Sequence, residues 1–86
     1  SKAEYSIYPN PATTNINVVV DAKEATDNTI ILVSDVTGKV LQQTQVNLHK
    51  GVNAYNLDVA SYPTGTYIVT VANSSWKVSD KVVVQH

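Results

Sequence analysis

The 86-residue chain contains no cysteine, methionine, phenylalanine or arginine. Without cysteine it has no disulfide framework, no thiolate metal site and no cysteine nucleophile. Its six lysines are scattered and net charge is −1, so the basic footprint of a nucleic-acid-binding protein is missing. No apolar run approaches the roughly 20 residues of a membrane-spanning helix. No signal peptide is visible, and any inner-membrane export signal is expected upstream of residue 1.

The residues that are present favour β-structure. Hydrophobic residues make up 43% of the chain, and Val is the commonest of them. Val, Ile, Thr and Tyr all pack well on a pleated surface. Short apolar runs are broken by Gly, Pro, Asn and Asp, which is typical of a sandwich or barrel. We predict seven strands, over residues 4–8, 15–20, 29–35, 39–46, 53–59, 66–72 and 76–85, with an interruption of the last strand considered near residues 79–80. Residues 36–39 are expected to form a tight hairpin turn in which Gly38 supplies a positive φ. Short turns between antiparallel neighbours favour a two-sheet sandwich.

The predicted core follows from alternation along these strands, because successive side chains of a strand point to opposite faces. Four consecutive apolar residues in the third strand indicate that it is covered on both faces. The polar stretch over residues 21–28 is predicted to be a loop. The residues expected in the core are Ile7, Ile16, Val18, Val20, Ile30, Leu32, Leu41, Leu57, Tyr67, Val69, Val71, Val82 and Val84.

Residues capable of catalysis or metal binding are few. The histidines are His49, in a predicted turn, and His86, whereas a catalytic triad needs a histidine oriented by a second group. Asp21, Glu24 and Asp27 share one predicted loop, but the glycine and regular spacing of an EF-hand are absent. A solvated loop is the favoured interpretation. The sequence therefore predicts no enzyme activity, no metal and no cofactor.

Two features leave a binding function open. The triplet Asn73-Ser74-Ser75 fits the N-glycosylation pattern, although a polar hairpin tip explains it equally. The aromatic residues are candidates for a sugar- or peptide-binding strip, or else for large core and edge residues in a chain without phenylalanine. They are Tyr5, Tyr8, Tyr55, Tyr62, Tyr67 and Trp76. A carbohydrate-binding, adhesive or structural Ig-like module of a secreted protein is therefore the alternative function.

Four stretches along the chain point to a more specific interpretation. They read YPNPA at residues 8–12, SDVTGKVL at 34–41, YPTGTYIVTV at 62–71 and KVVVQ at 81–85. In this order they resemble the type A C-terminal sorting domain of the type IX secretion system, found in Bacteroidota. The resemblance covers the chain from about Tyr5 onward. It implies an all-β, Ig-like β-sandwich of about seven antiparallel strands in two sheets, in agreement with the independent strand count.

The resemblance implies a secretion signal. Such a domain directs an upstream passenger across the outer membrane through the type IX system and is normally then cleaved at the cell surface. The implied partners are the outer-membrane translocon, sortase-like components and the passenger of the same precursor, without nucleic acid or small-molecule substrate. The implied location is the periplasm in transit, then the surface or exterior of a Gram-negative bacterium. The resemblance further implies that residues 1–86 form a single sorting domain, and we interpret about residues 1–4 as a linker remnant.

The resemblance also implies which residues carry the sorting motif. Departures from the family pattern are Thr70, where many members have a basic residue, and the ending Gln85-His86, where many end on Lys or Arg. The implied sorting-motif residues are Pro9, Asn10, Pro11, Gly38, Gly65, Tyr67, Lys81, Val82, Val83, Val84 and Gln85.

The physical roles of the two terminal motifs can be stated as hypotheses. Pro9 and Pro11 end the first strand, since proline cannot donate to a ladder and restricts the residue before it. The last strand presents a backbone edge, a lysine and an apolar comb that includes Val82 and Val84. A receptor could pair with that edge by strand addition. The alternative is that these valines fill the core.

Overall fold

The computed structural model describes residues 3–86, and its chain forms seven antiparallel strands. The prediction of an all-β fold with seven strands in two sheets is confirmed. Among residues 3–86 there is no helix long and apolar enough to cross a membrane. The strands are β1 (Glu4–Tyr8), β2 (Asn15–Ala22), β3 (Thr26–Asp35), β4 (Val40–Leu48), β5 (Gly51–Asp58), β6 (Gly65–Ala72) and β7 (Lys77–Val84).

The strands form one sheet in the order β1-β2-β5 and a second in the order β4-β3-β6-β7. All strand pairs are antiparallel, and β6 and β7 pair without interruption from Gly65↔Val84 to Ala72↔Lys77. The interruption expected near residues 79–80 is therefore absent. β7 is an edge strand with β6 as its one strand neighbour. An isolated parallel bridge, Ala12↔Val84, brings the segment between β1 and β2 to the other side of β7.

The core lies between the sheets and is built from the inward-facing side chain of every second residue. In β2 the buried residues are Ile16, Val18, Val20 and Ala22. The buried face that the alternation predicts for this strand is therefore confirmed. Burying a valine or isoleucine contributes about 1.5–3 kcal/mol gross, most of which chain entropy offsets. The strand-forming valines therefore account for both the local structure and the packing.

The predicted phase of β3 is wrong. Ile31 and Val33 are buried at 1% and 0% exposure, whereas Ile30 and Leu32 lie half-buried on the outer face of the four-stranded sheet. Thr29, fully buried, continues the inward-facing series, and its hydroxyl donates to the Thr26 carbonyl oxygen at 3.4 Å. A run of four apolar residues carries no alternation, so the local pattern does not indicate which face of the strand is buried.

Two further core predictions are only partly met. Ile7 and Leu41 are half-buried and pack against the core without being enclosed by it. Both belong to edge strands, β1 and β4, where one flank of the strand faces solvent. Edge position therefore lowers the burial that alternation alone predicts.

The polar stretch over residues 21–28 is mostly strand, which corrects the predicted loop. β2 runs on to Ala22 and β3 begins at Thr26, so three residues connect them. Asn28 adopts a positive φ of 57° where the register between β3 and β4 shifts. Asparagine tolerates this left-handed conformation better than most residues. Asp27 and Asn28 lie within this register shift, and their side chains are exposed.

The connection from β3 to β4 is the tight turn expected at residues 36–39. Gly38 has φ 94°, and its amide donates to the Asp35 carbonyl oxygen at 3.1 Å. The positive φ explains the glycine, because a side chain at that backbone conformation would be strained. This prediction is confirmed.

The turn between β4 and β5 depends on a residue that the sequence did not single out. Asn53 is 3% exposed, and its amide nitrogen donates to the carbonyl oxygens of His49 at 2.9 Å and Gly51 at 3.0 Å. Its side-chain oxygen accepts from the His49 amide at 3.1 Å. One buried side chain therefore satisfies the backbone of the turn in which Gly51 has φ 103°.

The start of the domain was predicted to include a linker over about residues 1–4. Residues 1 and 2 lie outside the described part of the chain. Ala3 is 7% exposed, and Glu4 is the first residue of β1. The linker interpretation stays a prediction.

Candidate recognition surface

The four motif stretches lie at one end of the four-stranded sheet, which we call the motif end. β3 and β7 finish there and β4 and β6 begin there, as the pairs Asp35↔Tyr67 and Gly65↔Val84 show. The turn that contains Gly38 follows β3 at this end. The motif end therefore gathers residues that are up to 77 positions apart in the sequence into one region of the fold.

The segment over residues 10–13, which we call the clip, crosses from the three-stranded sheet to the side of β7 that faces away from β6. The amide of Ala12 donates to the carbonyl oxygen of Val83 at 2.7 Å, and the amide of Gln85 donates to the carbonyl oxygen of Ala12 at 2.8 Å. These two bonds form a one-residue parallel bridge. Ala12 is fully buried, whereas Pro9, Asn10, Pro11 and Thr13 are exposed.

The Asn10 side chain takes the place of a strand neighbour beside β7. Its oxygen accepts from the Val83 amide at 3.0 Å, and its nitrogen donates to the Lys81 carbonyl oxygen at 3.4 Å. A primary amide presents both a donor and an acceptor, so it pairs with the backbone as a peptide group would. Thr13 adds a bond from its hydroxyl to the Gln85 carbonyl oxygen at 3.4 Å.

The outer edge of β7 is consequently covered, which overturns the hypothesis that it is open to a receptor. Upstream of the clip, the Tyr5 hydroxyl donates to the Ser79 carbonyl oxygen at 3.2 Å, and the Lys81 amide donates to the Asp80 carboxylate at 2.9 Å. A second strand can therefore pair with residues 81–85 only after the clip has left.

The side chains of the last strand divide between the core and the surface. Val82 and Val84 are fully buried, so the apolar comb that these two valines were expected to present belongs to the core. Lys81 and Gln85 are exposed, and Val83 is 36% exposed. A shallow depression of about 400 Å³ adjoins Lys81 and is also lined by Ile68. A partner that meets the folded domain can contact these side chains, but not the buried valines.

Tyr67 packs in the core beneath the motif end. It is 6% exposed, its hydroxyl donates to the Pro63 carbonyl oxygen, and its ring lies 5.1 Å from that of Tyr62. The Tyr62 carbonyl oxygen is 2.7 Å from the ring Nε2 of His86. The stretch before β6 is therefore tied both to the core and to the residue that follows Gln85.

Gly65 and Gly38 make different contributions to the motif end. Gly65 is half-buried and stands opposite Val84, and a Cβ placed on it would meet only ordinary van der Waals contacts near 4 Å. Gly38 lies in its exposed turn with nothing within 4 Å of such a Cβ, so its positive φ is the requirement there. Neither glycine contacts the clip directly in any hydrogen bond of residues 3–86.

The electrostatic feature of the motif end is the Asp35 carboxylate. It accepts from the Thr37 hydroxyl at 2.6 Å and from the amides of Thr37 at 2.9 Å and Lys39 at 3.0 Å. The Thr37 hydroxyl, followed by the two amides and the Lys39 charge, lowers the pKa of Asp35 below its ordinary value of 3.8. The sequence signal for this arrangement was the S-D-V-T-G-K stretch itself.

The candidate sites of other kinds do not assemble. Within residues 3–86, no group of three or more acidic, histidine or cysteine side chains is placed to hold a metal ion. Asn73 uses its side-chain oxygen to accept from the amides of Ser75 at 2.9 Å and Trp76 at 3.0 Å. The triplet at residues 73–75 is thus a hydrogen-bonded hairpin turn.

The aromatic side chains form no single exposed strip. Tyr5 stands opposite the inward-facing Val20, whereas Tyr8 stands opposite Asn17 and points to the other face of the same sheet. Tyr67 is buried, and the remaining three aromatic residues are half-buried against the core. The structure provides no support for the alternative of a carbohydrate-binding module.

These features define a small β-sandwich module whose first connection is joined to its last strand. The chain matches the family described as "Secretion system C-terminal sorting domain" over residues 6–85, and it belongs to that family. A comparison with curated proteins finds no match.

Family membership assigns a general role to the chain. It is a type IX secretion C-terminal sorting signal, of a family that is generally non-catalytic. It implies an upstream passenger, the type IX machinery, and export to the surface or exterior of a Gram-negative bacterium. The match runs from the middle of β1 to the residue after β7, so it covers nearly the whole sandwich.

Proposed function

We propose that this domain carries an upstream passenger from the periplasm across the outer membrane through the type IX translocon. A sortase-like component then removes it at the cell surface. The observation that carries this proposal is the family match over residues 6–85. The domain acts as a folded recognition module and not as a catalyst.

Recognition uses the exposed side chains at the motif end. Lys81, Val83 and Gln85 lie on or beside the last strand with their side chains accessible, and Pro9 and Pro11 flank them from the clip side. Among these exposed residues Val83 is the best one to substitute in a test of recognition, because an exposed valine in a strand of a small domain contributes little to the core. Val82 and Val84 serve recognition indirectly, by holding the strand in place.

The experiment fuses residues 1–86 to the C-terminus of an inert periplasmic reporter in a host that has a type IX system. The reporter is expected at the surface or in the medium, shortened by about the 9.3 kDa of the domain. In the same host without its translocon, the reporter is expected to stay in the periplasm at full length. Retention in the periplasm of the translocon-bearing host would contradict the proposal.

A matched pair of variants tests the recognition surface. Val83→Ser changes an exposed valine at the motif end, and Val52→Ser changes an exposed valine on β5 of the other sheet. Both proteins are expected to fold, and only Val83→Ser is expected to reduce export. Equal export of the two variants would remove Val83 from the recognition surface while leaving the sorting role intact.

Truncation after Asp80 does not separate recognition from folding. It removes Val82 and Val84, both fully buried, together with half of the β6–β7 pairing. Loss of export by such a variant would follow from unfolding alone. Single surface substitutions are therefore the sharper test.

A further inference from the structure

The clip holds the edge of β7 in the manner of a bound peptide. It runs parallel to β7, and Ala12 alone forms backbone bonds with the strand. The other three bonds come from the side chains of Asn10 and Thr13, all at exposed positions. On its other side, β7 pairs with β6 over eight residues. Departure of the clip would therefore withdraw Ala12 from the core but would leave β7 paired with β6 over its whole length.

The site beneath the clip specifies the kind of segment that fits it. Ala12 is fully buried at the bridge, so the position accepts a small side chain and excludes a large one. The uncovered backbone groups would be the Lys81 carbonyl, both groups of Val83 and both groups of Gln85. Unpaired groups along a strand edge are a template for another strand.

We propose that the outer edge of β7 is a latent binding site for an extended polypeptide segment, and that the clip is its removable cover. The segment runs parallel to β7 and places a small residue where Ala12 now lies. Backbone hydrogen bonds provide the affinity, as in other cases of strand addition. The proposal goes beyond the sorting role and does not depend on it, because it concerns the purified domain.

Hydrogen exchange tests whether Asn10 covers the edge. Asn10→Ala removes both side-chain bonds to β7, and exchange of the Val83 amide is expected to accelerate about tenfold. Asn47→Ala is the matched control, since the Asn47 side chain accepts from the Asn28 amide at 3.1 Å on β3, away from the clip. It is expected to leave the Val83 amide unchanged. Unchanged exchange of Val83 in Asn10→Ala would overturn the proposal.

Peptide binding tests whether the uncovered edge is a site. The probe is a dye-labelled peptide with the sequence of residues 8–14, YPNPATT, measured by fluorescence anisotropy. It is expected to bind Asn10→Ala about tenfold more tightly than the unchanged domain, because it no longer competes with an intact clip. The same peptide with Ala12→Trp is expected not to bind. Equal binding of both peptides, or of neither, would overturn the proposal.

A second variant and a measurement of self-association complete the test of the proposed site. If Asn10→Ala does not fold, Thr13→Ala replaces it, because that change removes one exposed bond to Gln85 and no buried atom. Sedimentation detects pairing between copies of the variant. Dimers that dissociate when the peptide is added would support the proposal, because the second copy and the peptide would then occupy the same edge of β7. Dimers that stay intact would contradict the assignment of a peptide as occupant. Export of the reporter fusion is a separate readout, so failure here and failure of the sorting role are distinguishable.

Discussion

Two neighbouring valines of the last strand are expected to respond very differently to the same substitution. Val82 is fully buried opposite Tyr67, and Val83 is 36% exposed on the other face of β7. We therefore compare Val82→Ala with Val83→Ala. The two changes remove the same atoms from adjacent positions of one strand, so the propensity and backbone effects largely cancel between them.

The expected loss of stability follows from the buried atoms. Replacing Val82 by alanine removes two carbon atoms from the core, which costs about 1.6 kcal/mol at about 0.8 kcal/mol for each buried carbon. Incomplete collapse of the resulting cavity raises the cost to about 2 kcal/mol or more. For a domain of this size, that corresponds to a fall in Tm of about 8–16 °C. Val83→Ala is expected to cost less than about 0.5 kcal/mol.

The assay is urea unfolding followed by the fluorescence of Trp76, the single tryptophan, which packs half-buried against the core. The midpoint is expected to fall for Val82→Ala with an unchanged slope, since the surface exposed on unfolding stays the same. Equal midpoints for the two variants would refute the division of β7 into a core face and an accessible face. That result would also remove the reason for expecting a substitution at Val83, rather than one at Val82, to affect recognition without affecting the fold.

The remaining predictions concern the turns. Asn53→Ala is expected to lower the free energy of unfolding by about 3 kcal/mol, because buried backbone groups of the turn lose their partner. The exposed Asn56→Ala on the same strand is expected to cost less than about 1 kcal/mol in the same urea titration, and equal losses would contradict the role of Asn53. The pKa of Asp35 is lowered by its hydrogen bonds, so its contribution to stability is present above the unfolded value of 3.8 and is lost as pH falls through the folded value. Unfolding measured from about pH 5 to about pH 2 is expected to show a smaller loss for Asp35→Asn than for the unchanged domain; Asp27→Asn, an exposed control, should retain the full loss, and identical curves for all three proteins would contradict the assignment.

Sequence patterns predicted the elements of this fold well where side chains alternate. β2 and β5 were recognised because apolar and polar residues take turns, and the buried set Ile16, Val18 and Val20 followed directly. β3 was assigned the wrong face because residues 30–33 are all apolar. The buried Thr29 shows which residues of β3 face inward. This choice of face depends on the register of the surrounding sheet, which no local sequence pattern contains.

The candidate surface was only half visible in the sequence. The prediction that Pro9 and Pro11 end the first strand is confirmed, since β1 ends at Tyr8. The bond between Asn10 and Val83 spans 73 positions, and nothing near either residue indicates it. The same contact reverses the hypothesis of an open last edge. Long-range pairing by a side chain has no periodicity, so it had to be seen in the fold.

The bridge between Ala12 and Val84 has a consequence for when this domain can fold. The first connection of the chain finds its partner only in the final strand, and the core contains valines from that strand. At about 5–20 residues per second, a ribosome needs roughly 4–14 s to make the 70 or so residues between them. During that interval the sandwich cannot close, so the nascent chain stays available to any factor that handles unfolded polypeptide. The sandwich can therefore close only after β7 has been synthesised.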